Sequence, residues 1–307
     1  MTPLASVVIT SRNRAFSLAL ALAHLQTQTY ANQEIIVVDN DSSDCTPAVA
    51  LAYGARRVCV PSRYGIGYCR AQGVDAARGS VIAFLDDDCI PDPGWLSAIV
   101  RRLMADPNIG LLGGQVVNVG FTGAKRNKGK TRHLRNGMLG FVDDPARAEY
   151  HGNMNLAFRR DAIDVVGNYD PFFNVMEEID LAARMREAGF EVAYEHGARV
   201  RHYNRSAFFK HRHFFYGQQL MRLYFYFKHF PPSTASQWRR FARQEAALAK
   251  RDLVAGARYF AWVVVKRRWR QLPNALTALC NTVSARLAIP WLIYRARTSR
   301  NTYRNPN

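Results

Sequence analysis

Acidic residues almost disappear from the last third of this chain. Ser206 to Asn307 holds 19 Lys and Arg against 2 acids, Glu245 and Asp252, a net of +17. Met1 to Arg205 holds 23 against 22, a net of +1, so the overall charge of +18 belongs to the tail. That step marks a boundary near residue 205 and implies an anionic partner for the tail. Long apolar runs are missing too. Tyr259 to Val265 is short and Arg286 interrupts Leu276 to Ile293, so no segment supplies the ~20 apolar residues of a membrane span. Helices of this kind are expected to lie on a membrane rather than cross it. Cysteine is scarce: Cys45, Cys59, Cys69, Cys89 and Cys280 are odd in number and contain no C-x-x-C pair. This argues against a disulfide framework and a cysteine zinc site, and fits a reducing compartment. No basic segment followed by an apolar stretch opens the chain, so no signal peptide is expected. The expected location is cytoplasmic, peripheral on the inner face of the membrane.

Apolar residues make up 48% of the 307 residues, enough for a sizeable core. In the first 120 residues strand and helix patterns alternate. Val7-Val8-Ile9, Ile35 to Val38 ending at Asp39, Arg57 to Val60, and Val81 to Leu85 read as strands. Leu18 to Leu25, Pro47 to Tyr53, Arg70 to Ala77 and Trp95 to Met104 read as helices. Alternation of this kind predicts a doubly wound, largely parallel α/β sheet. Further on, Ile109 to Leu112 and Phe190 to Tyr194 read as strands and Glu177 to Ala188 as a helix ended by Gly189. The basic, aperiodic stretch from Lys125 to Arg135 reads as a loop, one able to close over an acceptor. Beyond residue 205, aromatics such as Phe208, Phe214, Tyr224 and Phe227 interleave with Lys, Arg and His in a helical region. The division expected is 1–205 and 206–307.

The sharpest local signal is Val81-Ile82-Ala83-Phe84-Leu85 running into Asp86-Asp87-Asp88. Three adjacent carboxylates at the end of a buried strand repel one another and resist desolvation. A divalent cation with a taste for hard oxygen ligands, Mg²⁺ or Mn²⁺, relieves that cost. An acidic turn that caps the next helix is the plainer alternative.

Four blocks in order resemble the family 2 glycosyltransferases, inverting enzymes of the GT-A fold, over roughly Pro3 to Arg205. They are Ser6 to Arg14; Glu34 to Asp44; Gly65 through Asp86-Asp87-Asp88 to Trp95-Leu96; and Gly152-Asn153 to Arg160 with Glu177-Glu178-Ile179-Asp180-Leu181 and His202. The resemblance implies a nucleoside diphosphate sugar donor, held in part by Thr10 and Arg12 after the first strand. It implies that Asp39 accepts the imide N–H of uracil or thymine, and that Asp86 meets ribose or metal. Asp88 and His202 would bind the cation bridging the phosphates, with Asp87 beside them. Arg70, in Cys69-Arg70-Ala71-Gln72-Gly73, would hold the aspartates or a phosphate, though Ala71 stands where the family usually has asparagine. Glu178 matches the catalytic base, one methylene longer than the usual aspartate, with Glu177 as the alternative and Asp180 orienting its neighbours. Gly152, Asn153 and Asn155 match an acceptor-side loop.

The implied reaction is metal-dependent transfer of a sugar, from UDP or dTDP in preference to GDP, to a hydroxyl of a lipid-linked or cell-envelope glycan. The tail would reach an anionic membrane surface, where basic residues gain about 1 kcal/mol each, or the acceptor. Two other readings compete. A basic, aromatic tail also suits single-stranded nucleic acid, but the acidic constellation has no use in a binding module and no nucleic acid partner is expected. A nucleotidyltransferase of related fold would carry a glycine-rich loop after its first strand, and Thr10 to Ala15 has no glycine.

Overall fold

The computed structural model describes residues 2–119, 131–133, 139–142, 144, 147–203, 212–267 and 272–304. Most of the basic stretch 125–135 and the aromatics at 208 and 209 lie outside these residues. Within that stretch, Thr131–His133 is a strand (β7) that pairs with Leu139–Phe141 (β8). The chain divides into two compact units, residues 1–132 with 139–205, and residues 133–138 with 206–307.

The first unit is built on an eight-stranded sheet. Its strands in chain order are Ala5–Ser11 (β1), Gln33–Asp39 (β2), Arg56–Cys59 (β3), Val81–Leu85 (β4), Cys89–Pro91 (β5), Ile109–Asn118 (β6), Asn155–Arg159 (β9) and Glu191–His202 (β10). Across the sheet they run β3-β2-β1-β4-β9-β6-β10-β5. The first four are parallel, and β6 and β10 are parallel to each other; β9 is antiparallel to both β4 and β6, and β5 to β10. The sheet is therefore more mixed than alternation alone predicts. Asn155, read from the sequence as part of an acceptor-side loop, opens the central buried strand Asn155–Arg159. Its five residues carry too little pattern to separate strand from loop.

Alternation along the strands sends side chains to opposite faces. Val7, Ile9, Val37, Ala83 and Leu85 enter one core with Leu18, Leu22 and Leu25 of Ala15–Leu25 (α1) and Trp95, Leu96, Ile99 and Leu103 of Trp95–Ala105 (α4). On the other face Phe84 meets Phe158 at 5.8 Å and Tyr169 edge-on at 5.5 Å. There Ile66–Ala76 (α3) lies so close to β1 that a Cβ on Gly73 would come within 2.4 Å of Val8 Cγ1. Thr46–Ala52 (α2), Arg160–Val166 (α5) and Glu177–Glu187 (α6) complete the unit. In register, Ser11 sits beside Asp39, and β4 ends at Leu85 just before the three aspartates. The carboxyl ends of β1, β2 and β4 thus gather on one edge, where open α/β sheets bind ligands.

The second unit is all helix: Arg212–His229 (α7), Ala235–Val265 (α8), Leu272–Leu287 (α9) and Ile289–Arg304 (α10). No described helix is long and apolar enough to cross a membrane.

Candidate active site

Two polar networks meet at the adjacent residues Asp86, Asp87 and Asp88. The first runs from β1 to β10. Arg14 donates from Nη1 to Asp87 Oδ1 and from Nη2 to Asp88 Oδ2, each at 2.8 Å. Ser11 donates to Asp87 Oδ2 at 2.7 Å. His202 Nε2 lies 3.2 Å from Asp88 Oδ1, and its Nδ1 lies 3.1 Å from Asn118 Oδ1, which orients the ring. Burial pushes the Asp87 carboxyl up to about 7, against the pull of Arg14 and Ser11. Burial also opposes ionisation of Asp88, but the hydrogen bond and charge of His202, then Arg14, outweigh it and hold that carboxyl below its usual range. At His202 burial favours the neutral ring, yet Asp88 wins and raises the imidazole above its ordinary value.

The second network runs from α3 to α6. Arg70 donates from Nη1 to Glu177 Oε1 and from Nη2 to Asp86 Oδ1 at 3.4 Å. Asn153 Nδ2 reaches Glu177 Oε1 at 3.2 Å and Glu178 Oε2 at 3.3 Å, while its Oδ1 accepts from the buried Tyr169 hydroxyl at 2.6 Å. Glu177 is 1% exposed and Oε2 has no hydrogen-bond partner among the described residues. Glu178 is half-buried. Burial raises its carboxyl above the usual range, with Arg70 opposing and Asp86 adding. Three acids in the first turn of α6 also complement the helix dipole. Met176, at φ +72°, sets the abrupt entry into that helix. The chain before it is fixed at Gly67, where a Cβ would lie 2.1 Å from the Phe173 carbonyl oxygen.

The remaining expected residues fall around these networks. Asp39 is fully buried; Oδ2 accepts from Arg57 Nε at 2.9 Å and Nη2 at 2.6 Å, and Oδ1 accepts from Ser42 N at 3.0 Å. Thr10 is half-buried at the end of β1, and Arg12 is exposed on the loop that follows. Asp180, fully buried, accepts from Arg184 Nε at 3.0 Å, and Arg184 in turn ties down the carbonyls of Val166, Gly167 and Asn168. Its carboxylate faces that loop. Asn155 is a buried brace, accepting from Trp95 Nε1 at 2.8 Å and donating to the Gln115 and Ala198 carbonyls.

Ligand atoms of Asp88, Cys89 and His202 lie within 4.8 Å of one another. Asp86 is not in this group, because its side chain turns toward Arg70. A carboxylate oxygen and an imidazole nitrogen converging at 3.2 Å suit a divalent cation of the Mn²⁺ or Mg²⁺ type. Cys89 belongs to the apolar core, and burial raises its thiol well above the ordinary value. Arg14, Ser11, Arg57 and Tyr169 carry much of this site, and sequence reasoning gave none of them a role. Only the need of three aspartates for a counter-charge hinted at Arg14, and nothing in the pattern said which of 42 cationic side chains would supply it.

A family model described as glycosyl transferase family 2 matches residues 6–167, more than half of the chain. The chain belongs to glycosyl transferase family 2. This family 2 chain is 26% identical over 201 residues to glycosyltransferase AglE of Haloferax volcanii, across 63% of its own length and 65% of that protein. It is 25% identical over 208 residues to a glucosyl-dolichyl phosphate glucuronosyltransferase of the same organism, across 62% and 66%. The chain thus spans just under two-thirds of both relatives. Among solved structures it is similar to the mannosyltransferase PcManGT of Pyrobaculum calidifontis in complex with GDP-Man and Mn²⁺. That likeness has a TM-score of 0.58 at 15% identity and covers 95% of this chain and 88% of the other. At such identity it establishes the fold, which is GT-A with a helical C-terminal region.

Proposed function

We propose that this protein is a divalent-cation-dependent, inverting glycosyltransferase. It moves a sugar from a nucleoside diphosphate sugar, UDP or dTDP favoured, to a hydroxyl of a lipid-linked or cell-envelope glycan at an anionic cytoplasmic membrane surface. One observation carries the reading: the two networks join at Asp86, Asp87 and Asp88, so that the Asp88–His202 pair and the half-buried Glu178 carboxylate belong to one continuous site. The Mn²⁺ and GDP-Man of PcManGT support the cofactor and donor class. The glucosyl-dolichyl phosphate in the name of the archaeal relative supports a lipid-linked acceptor.

Asp88 and His202 would hold the cation, with Asp86 at the ribose or at the cation. Bound there, the cation neutralises the charge gathering on the departing diphosphate. Arg70 positions Glu177 and Asp86 together. Glu178, beyond that ion pair, takes the proton of the acceptor hydroxyl as its oxygen bonds to the anomeric carbon. The bond from that carbon to the diphosphate oxygen breaks, its electron pair leaves with the diphosphate, and a single displacement inverts the centre. Asp39 meets the base; a carboxylate has about four lone-pair positions, so the contacts from Arg57 and Ser42 leave capacity for an imide N–H.

Calorimetric titration of UDP, dTDP and GDP, with and without Mn²⁺, into the protein and its Asp88→Ala variant tests the reading. Mn²⁺-dependent binding of one nucleotide, lost in the variant, is expected. Absence of binding by all three would overturn it.

A further inference from the structure

Among the described residues, the aromatic run Tyr224 to Phe227 is packed inside the helical unit. Leu223, Tyr224 and Phe225 of α7 are fully buried, and Tyr226 stacks on Phe241 of α8 at 4.9 Å. The two acids are spent as well. Glu245 takes both terminal nitrogens of Arg222 at 2.8 Å and lies 3.5 Å from Arg286, while Asp252 pairs with Arg251 and Arg286. With both acids engaged by internal arginines, the outward charge of this unit is basic.

Several apolar side chains point outward on α9 and α10. Leu276, Val283, Leu287, Trp291 and Tyr294 are between 47% and 76% exposed. Their intervals of seven, four, four and three residues place them on one side of a helix. Bonds of the i→i−4 kind flank the one-residue junction: Ala288 N donates to Ser284 O at 3.2 Å and Leu292 N to Ala288 O at 2.9 Å. Pro290 falls in the first turn of α10, where its missing N–H costs no helix bond. Beside it opens a cleft of about 470 Å³ lined by Phe227, Pro231, Pro232, Trp238, Ile293 and Arg297.

We propose that this stripe and cleft seat the protein on a bilayer containing anionic phospholipid. Leu276, Val283 and Leu287 enter the acyl boundary, Trp291 and Tyr294 sit at headgroup level, and Arg297 meets a lipid phosphate at the mouth of the cleft. The assignment deepens the membrane part of the proposed function and rests on it, but moves the contact from the aromatic run of α7 to α9 and α10. Charge selects the occupant. Aliphatic side chains flanked by a net +17 match an apolar layer under an anionic surface. A second copy would set +17 against +17. Nucleic acid would satisfy the arginines but leave the aliphatic residues in water.

The test is co-sedimentation of the full chain with phosphatidylcholine vesicles, with and without phosphatidylglycerol. The wild type is expected to bind only the phosphatidylglycerol vesicles. Leu287→Gln/Trp291→Gln should lower that partition about tenfold or more, and Arg297→Gln by a smaller factor, with Mn²⁺-dependent nucleotide binding unchanged in both. Circular dichroism checks that these exposed substitutions leave the helices folded; Tyr294→Gln is the second test should the double variant unfold. Failure of the wild type to bind phosphatidylglycerol vesicles overturns the proposal, as does unchanged partition of the variants. So does a stripe-dependent dimer in sedimentation equilibrium, or displacement from vesicles by single-stranded oligonucleotide. Vesicle binding without any nucleotide binding would sink the transferase reading and leave this surface standing.

Discussion

The two units use their acids in opposite ways. In the helical unit Glu245 and Asp252 each meet arginine, and Glu245 with Arg222 forms a buried, bidentate pair of the kind that fixes how helices pack. In the sheet unit Asp86, Asp87 and Asp88 crowd one strand end with Arg14 and Arg70 shared among them. Glu177 keeps one oxygen without a partner among the described residues, and Glu178 stays half-buried with a raised pKa. Saturated acids hold a fold together. Unsaturated ones retain capacity for a cation, a donor and an acceptor, and that capacity is what a transferase site requires.

Five substitutions and the pH dependence sharpen this contrast. Glu178→Gln should lower turnover by about 10³, within the range for loss of a general base, while Mn²⁺-dependent nucleotide binding persists. Glu177→Gln should instead loosen Arg70 and lower stability; a larger loss of turnover at Glu177 than at Glu178 would reverse the assignment of the base.

Glu245→Ala removes the carboxylate paired with Arg222, which is only 4% exposed. It should cost about 3–5 kcal/mol of stability, read by denaturant unfolding, with nucleotide binding in the sheet unit retained. Asp180→Ala should do the same inside the sheet unit by removing the carboxylate that pairs with the buried Arg184. A loss under 1 kcal/mol at both would show that these pairs are no more than surface contacts in their energetics.

The pH dependence follows from the directions of the shifts. His202 is raised above 6.5 and must shed its proton to ligate a cation. Mn²⁺ affinity should therefore climb up to tenfold per pH unit until pH passes that raised value, then level off; calorimetry at stepped pH reads it. In the cation-free protein the His202–Asp88 pair contributes stability that is lost as pH rises through the raised His202 value. It is also lost as pH falls through the depressed Asp88 value. The acid limb of turnover should likewise sit above 4.5, because Glu178 must be ionised and its carboxyl is raised.

The smallest effect is expected at Arg14. Its two 2.8 Å contacts place it as the resident counter-charge of Asp87 and Asp88. Arg14→Ala should tighten Mn²⁺ binding in the absence of nucleotide by several-fold, since a competing cation is gone. Weaker Mn²⁺ binding would mean that Arg14 shapes the site rather than competing for it.

Much of the sheet was legible because its strands are short apolar runs with glycine or acids at their ends. Val81 to Leu85 and Ile35 to Asp39 could hardly be read otherwise. The strand at Asn155 to Arg159 was not legible. Only pairing with β4 and β6 distinguishes it from a loop, and those partners lie 74 and 43 residues away along the chain in the register pairs Ala83–Ala157 and Gly113–Leu156.

 The same limit applies to the candidate site. The blocks that carry Asp39, Asp88, Glu178 and His202 could be picked out one by one, since each is a charged or imidazole side chain at the end of an apolar run or the start of a helix. Arg14, Ser11, Arg57 and Tyr169 could not, because an arginine or a hydroxyl acquires its meaning from what stands opposite it. Asp39 and Asp180 show the converse: both looked open in the sequence, and both are fully buried against an arginine.

By itself the sequence determined the family, the alternating architecture of the sheet unit, the acidic strand end and the charge boundary near residue 205. These are local properties, written in periodicity, composition and short motifs, and they survive without knowledge of any contact. Tertiary structure alone decided which acids are neutralised and which keep open valence. It separated Glu177, bound to Arg70, from Glu178 beside it, and turned Asp86 away from Asp88. It also buried Tyr224, Phe225 and Phe227 and left Leu276, Val283, Leu287, Trp291 and Tyr294 exposed. The physical reason is that ionisation and burial depend on distances between residues far apart in the chain, and only packing sets those distances.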